Sequence, residues 1–259
     1  MNHAAEKFLL QADVTALVFK NTTEDRNRPT GQRTLTDQQT MELNNSLNNI
    51  MKNLHNVAIH EAGHAVADCV LGHGLTPQGI ELSRFTRIEL SRFDDERFEG
   101  VVYANDSNPR DCIDATFAGP IAEYRATREM RNIETDVGNI ALCCRELLGH
   151  KNTFVENECN YENFGDFFAL VYTLAEHTDR VRALQDIEEY EETIEQVDGV
   201  RPLVDRTIFD LLWPLAQRGH EIINCNWPKV EAIATELYKT KKLSGDEVQS
   251  IMTSSAAAK

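Results

Sequence analysis

The sequence predicts a mainly α fold with one small β-sheet, an α+β architecture, on three observations. An apolar helical segment at 54–71 is closed by Gly72 and Gly74. Alternating residues at 80–93 repeat the hexapeptide Ile-Glu-Leu-Ser-Arg-Phe, at 80–85 and 88–93. Downstream of about Cys112 the apolar residues recur every three or four positions, the helical period.

Taken in order, residues 1–53 read as a polar, partly ordered N-terminal extension, with Asn27-Arg28-Pro29 and a stretch rich in Asn and Gln from 38 to 53. Its tail can form a helix through Met41, Leu43, Leu47 and Ile50. Residues 54–252 form the one folded domain, and 253–259 a flexible tail. Its first helix carries Val57, Ala58, Ala65, Cys69 and Val70, continuous enough for deep burial. Strands follow at 80–93, with a third candidate at 100–104 after the charged turn 94–99.

The next helix, 112–129, contains Gly119-Pro120 and is expected to be kinked or split there. Thr135 is placed to cap a helix through Ile140, Leu142, Leu147 and Leu148. A long helix, or two joined, spans 164–197, its acidic run 188–195 a solvated face. Beyond Pro202 come a helix at 204–223 bent at Pro214, another after Pro228, and a short last helix opened by the capping box Ser244–Glu247.

The balance of charge excludes whole partner classes. With 26 basic against 42 acidic side chains the net charge is -16, and no basic run occurs, which disfavours nucleic acid and anionic membranes. No apolar window is long enough for a membrane span, and the start lacks the pattern of a secretory signal, so a cytoplasmic location is expected. The six cysteines then read as reduced, mostly buried thiols.

Chemistry concentrates at His60-Glu61-Ala62-Gly63-His64, an H-E-x-x-H sequence within the buried helix. Residues four apart share a helix face, so His60 and His64 can aim ring nitrogens at one metal ion, while Glu61 is displaced enough to serve as general base. The plain structural alternative is a pair of core histidines with ordinary partners. Burying two imidazoles and a carboxylate on one apolar helix costs several kcal/mol unless something compensates, and a metal ion compensates all three. Gly63 costs about 1 kcal/mol inside a helix and suggests close approach of backbone or substrate. A catalytic zinc needs a third ligand; Glu123 and Asp136 are both candidates, and spacing does not choose between them. His55 and His73 lie too near along the chain and read as ordinary surface or core histidines.

Residues 58–66, Ala-Ile-His-Glu-Ala-Gly-His-Ala-Val, resemble the zinc-site helix of FtsH-type ATP-dependent metalloproteases. Phe117-Ala118-Gly119-Pro120-Ile121-Ala122-Glu123 is similar to that family's Gly-Gly-Arg-x-Ala-Glu segment, with Pro120 where the family has Arg. Glu134-Thr135-Asp136-Val137 is similar to its Ser-Asn-Asp-Leu segment, and 230–248 to its C-terminal helix and Leu-x-Gly-x-Glu ending. The resemblance implies an FtsH-like zinc peptidase helical domain over 54–252. It also implies His60, His64 and Asp136 as zinc ligands, Glu61 as catalytic base and Glu123 near the site without being a ligand.

Residues 1–53 offer neither the family's membrane anchor nor a phosphate-binding loop, so ATP-independent hydrolysis of flexible or unfolded polypeptides is expected, unless a separate ATPase or adaptor feeds the site. The extended substrate is expected to pair with a strand edge near 100–104. Family members assemble into six-fold rings, which leaves a homo-oligomer open, although much of that contact belongs to the ATPase. The competing functions are a regulatory protease dedicated to one partner protein and a non-catalytic protein-binding module that retains the peptidase fold.

Overall fold

The computed structural model describes residues 37–85, 97–105, 107–128, 133–149 and 206–254, together with Val171, Ala175 and Arg182. Among them are α1 (Asp37–Leu71), β1 (Leu75–Phe85), β2 (Arg97–Ala104), α2 (Pro109–Thr127), α3 (Glu134–Leu148), α4 (Arg206–Thr240), β3 (Lys242–Leu243) and α5 (Gly245–Thr253). The described residues are mostly helical with a small antiparallel sheet, as the α+β expectation has it. The chain divides into two units, Met1–Leu54 with Phe85–Arg97, and His55–Arg84 with Phe98–Lys259. The first holds the start of α1; the candidate site lies in the second.

One helix replaces the two short ones expected before Gly72, because nothing between Ile50 and Leu54 interrupts α1. It ends where Gly72 takes a left-handed φ of 87°, and the Asp68 carbonyl then accepts from the backbone N–H of both His73 and Gly74. The chain turns directly into β1. The sheet order is β2-β1-β3, with Ile80 opposite Leu243 and Glu81 opposite Lys242, whose side chains form an ion pair at 2.7 Å. Strand β3 has only two residues, too few for any periodicity to show in the sequence. The second hexapeptide copy, the body of the 164–197 helix and its acidic run lie outside the described residues.

The helix expected from Cys112 begins earlier, at Pro109. Asn108 caps it by accepting from the N–H groups of Arg110 and Asp111, and proline suits the first turn, where its missing N–H is no loss. It runs on through Gly119-Pro120 to Thr127 as one helix, not the two pieces the proline allowed. In α3 the cap is Ile133, without a side-chain hydrogen bond, and Thr135 lies inside the first turn instead of capping it. Pro214 does not break α4 either. The one non-helical residue there is Asn226, two before Pro228, whose Nδ2 donates to the Ile222 carbonyl. The capping box of α5 forms as expected, Ser244 and Glu247 satisfying each other's backbone N–H.

Helix α2 is the centre of the packing and lies against both α3 and α4. Its stretch from Ile113 to Glu123 is buried throughout, with Phe117 and Ile121 fully enclosed, as are Phe209, Leu212 and Ile223 of α4. The cysteines depart from expectation. Of those described, only Cys144 is buried; Cys69, Cys112 and Cys143 are half-buried and Cys225 is exposed, all five as free thiols.

Candidate metal centre

Helix α1 presents His60 and His64 one turn apart, their rings edge to face with centroids 4.8 Å apart. The first turn of α3 brings Asp136 to the same point. Its Oδ2 lies 3.0 Å from His60 Nε2, and its Oδ1 3.3 Å from His64 Nε2. One ligand atom from each of the three residues lies within 4.8 Å of the others, a spacing one metal ion can bridge. Of the two candidates for third ligand, Asp136 is the one whose oxygen joins this group, which could hold a metal ion.

Glu123 does something else. His60 Nδ1 donates to Glu123 Oε2 at 3.1 Å, while His64 Nδ1 donates to the Ala115 carbonyl at 2.8 Å. A carboxylate and a carbonyl accept here, so both histidines carry a proton on Nδ1 and turn Nε2 towards Asp136. Both Nε2 atoms thus face one buried carboxylate, as imidazolium N–H groups when protonated and as lone pairs when not. With Nε2 unprotonated, that arrangement is unfavourable unless a cation lies among the three atoms. The residues present fit a divalent ion, on the evidence of the three converging donor atoms and the Nδ1 protons held by Glu123 and the Ala115 carbonyl.

The electrostatics follow the same logic. Burial alone would depress the His60 pKa, but the charge of Asp136, with hydrogen bonds to Asp136 and Glu123, carries it well above the usual 6.5. His64 is raised too, burial again being overcome by Asp136. Asp136 itself is held down to about 2, since the facing histidines outweigh its burial. Glu61 moves the other way: burial raises its pKa, only partly offset by His60 and His64. A carboxyl group raised towards neutrality is suited to accept and return a proton.

Three glycines make room for these groups. A Cβ on Gly63 would sit 2.5 Å from the Ala118 carbonyl oxygen and 2.8 Å from the Ala122 Cβ, so the glycine lets α1 and α2 cross backbone to side chain. This is the backbone approach, of the two roles its sequence context suggested. A Cβ on Gly119 would run into the His64 ring, and one on Gly100 of β2 into the Glu61 carboxylate. Neither role was read from the sequence. For Gly119 the available signal was a glycine retained inside a helix at a cost of about 1 kcal/mol.

Outside this centre, exposed His55 meets Tyr238 edge-on at 5.7 Å, and His73 lies 3.4 Å from both Asp68 and Asp111. Neither belongs to the converging set, in keeping with the ordinary roles expected of them. Among the described residues no helix is long and apolar enough to cross a membrane. Compared with known proteins, the chain matches no family model and no curated protein.

Proposed function

We propose that this chain is a zinc-dependent endopeptidase acting on flexible or unfolded polypeptides, with His60, His64 and Asp136 as metal ligands and Glu61 as general base. The observation that carries the reading is the buried convergence of two Nε2 atoms and a carboxylate, with Nδ1 of each imidazole already engaged, beside a fourth group, Glu61, whose pKa is raised. Imidazole and carboxylate donors in this number suit zinc and leave a coordination position open for chemistry.

When bound, zinc supplies a Lewis acid that polarises a carbonyl and brings the pKa of a coordinated water towards neutrality. Glu61 takes the proton from the attacking water and passes it to the leaving amine. Glu123 and the Ala115 carbonyl hold the two imidazoles in the tautomer that ligation needs. Strand β2 is an edge of the described sheet, and Gly100 brings its backbone against Glu61. An extended peptide added to that edge would pass beside the base with its own backbone groups paired, which favours unfolded substrates over folded ones.

The test is cleavage of casein, without ATP, by wild type and by Glu61→Gln, with bound zinc measured in both. The reading predicts cleavage by wild type alone at equal zinc. Wild type that holds zinc and leaves casein intact would overturn it.

A further inference from the structure

The turn that ends α1 holds His73 by its backbone. The His73 N–H donates to the Asp68 carbonyl at 3.0 Å, and the His73 carbonyl accepts from Asn105 Nδ2, just past β2, at 2.8 Å. So held, the ring lies between two carboxylates: Nδ1 is 3.4 Å from Asp68 Oδ1, and Nε2 is 3.4 Å from Asp111 Oδ2. Asp68 belongs to α1 and Asp111 to the first turn of α2, so the ring bridges the two helices. Asp68 stands one turn beyond His64, and Asp111 one turn before Ala115, whose carbonyl accepts the His64 Nδ1 proton at 2.8 Å. The bridge is therefore the next rung after the contact that orients His64.

The charges around the ring come from three helices. Asp68 faces it from α1 and Asp111 from α2; behind Asp111, Arg218 of α4 lies 3.7 Å from Asp111 Oδ1 and 2.8 Å from Asp114 Oδ2. Asn108 Nδ2 also donates to Asp111 Oδ2, while the buried Asp114 Oδ1 has no hydrogen-bond partner. Three carboxylates thus meet one guanidinium, and a positive charge on His73 is what the group lacks. Hydrogen-bond counting gives the same answer. A neutral imidazole has one N–H and can serve only one of its two carboxylates, leaving a lone pair against the other; an imidazolium donates to both.

We propose that His73 is a proton-operated tie between α1 and α2: with both ring nitrogens protonated it holds Asp68 and Asp111 together, and on losing one proton to solvent it releases one of them. The His73 side chain is 12% exposed, enough to exchange that proton with water. Acid thereby tightens the crossing of α1 and α2 beside His64, and alkali loosens it. The tie needs no metal, so it stands or falls separately from the zinc reading.

The experiment is a pair of double-mutant cycles on the full chain, unfolded by urea at about pH 5.5 and about pH 9, on either side of the range in which histidine changes charge. One cycle combines His73→Gln with Asp111→Asn, the other His73→Gln with Asp68→Asn. At the acid pH each carboxylate should couple to His73 by about five-fold in the unfolding constant; at the alkaline pH no more than one coupling should survive. Asp114 titrates between the two, burial lifting its pKa to about 6 against the pull of Arg218, but its contribution is common to each cycle and cancels. Burial also raises the Asp68 pKa, against the hydrogen bond from His73, so the acid arm goes no lower. Wild type alone supplies a second reading that no folding defect can spoil. In its carbon-13 spectrum the carboxyl carbons of Asp68 and Asp111 should both move at the step where the His73 ring loses its proton. A coupling missing from either carboxylate at the acid pH, both couplings intact at the alkaline pH, or a carboxyl carbon of Asp68 or Asp111 that ignores the His73 step would overturn the proposal.

Discussion

Glu123 Oε2 accepts the Nδ1 proton of His60 at 3.1 Å, from a position on α2 that is completely buried. The pairing spans 63 residues of sequence and fixes which nitrogen of His60 faces Asp136. A carboxylate in that place also raises the basicity of the imidazole as a ligand. Replacing it with Glu123→Gln, which retains the shape and an acceptor but loses the charge, should weaken zinc binding about 10- to 100-fold. Competition against a chelating dye measures this; an unchanged affinity would remove Glu123 from the account.

Two glycine substitutions should fail in different ways. Gly100→Ala drives a methyl group into the Glu61 carboxylate, so zinc should remain bound while casein cleavage falls about 10-fold or more. Gly119→Ala drives one into the His64 ring, and here zinc itself should be lost. Metal content and turnover measured on both variants separate the two; the same phenotype in both would contradict the assigned contacts.

Protons and metal compete for the same atoms, and the signs can be worked out. The raised pKa values of His60 and His64 give the metal-free fold a contribution that is full below 6.5, the unfolded value, and lost as pH rises through the folded values. Asp136 is depressed from 3.8 to about 2, so its contribution is present above 3.8 and lost as pH falls through about 2. Zinc must displace the histidine protons, which costs least at high pH. The rise in melting temperature on adding zinc should therefore widen from about pH 5 to about pH 8. A shift that narrows over that range would contradict histidine ligation.

At the far end of the domain, Ser244→Ala removes the side chain that caps α5 and leaves the Glu247 N–H without its acceptor. About 1 kcal/mol of stability should be lost, with zinc binding unchanged. Urea unfolding followed alongside metal content checks both halves.

The H-E-x-x-H helix was legible because both its period and its chemistry are local: four residues make one turn. The same holds for the Ser244–Glu247 box and for the α+β class. Asp136 was different. Spacing left it level with Glu123, and only the likeness of the 134–137 segment to a protease family favoured it, since ligands contributed by separate helices meet through packing. Gly119 was read with its proline neighbour as a kink or split, whereas its missing side chain clears the His64 ring on another helix. The start of α2 was placed late because Asn108-Pro109 precedes the first apolar residue, although both are good opening signals. Strand β3 owes its existence to pairing with β1 across more than 160 residues, and nothing in Lys242-Leu243 announces that.

The most direct measurement is zinc content per chain, by plasma mass spectrometry after equilibration and desalting, for wild type and Asp136→Ala. The account predicts one ion per chain in wild type and essentially none in the variant. Zinc absent from wild type, or retained in full by Asp136→Ala, would contradict a centre built from His60, His64 and Asp136.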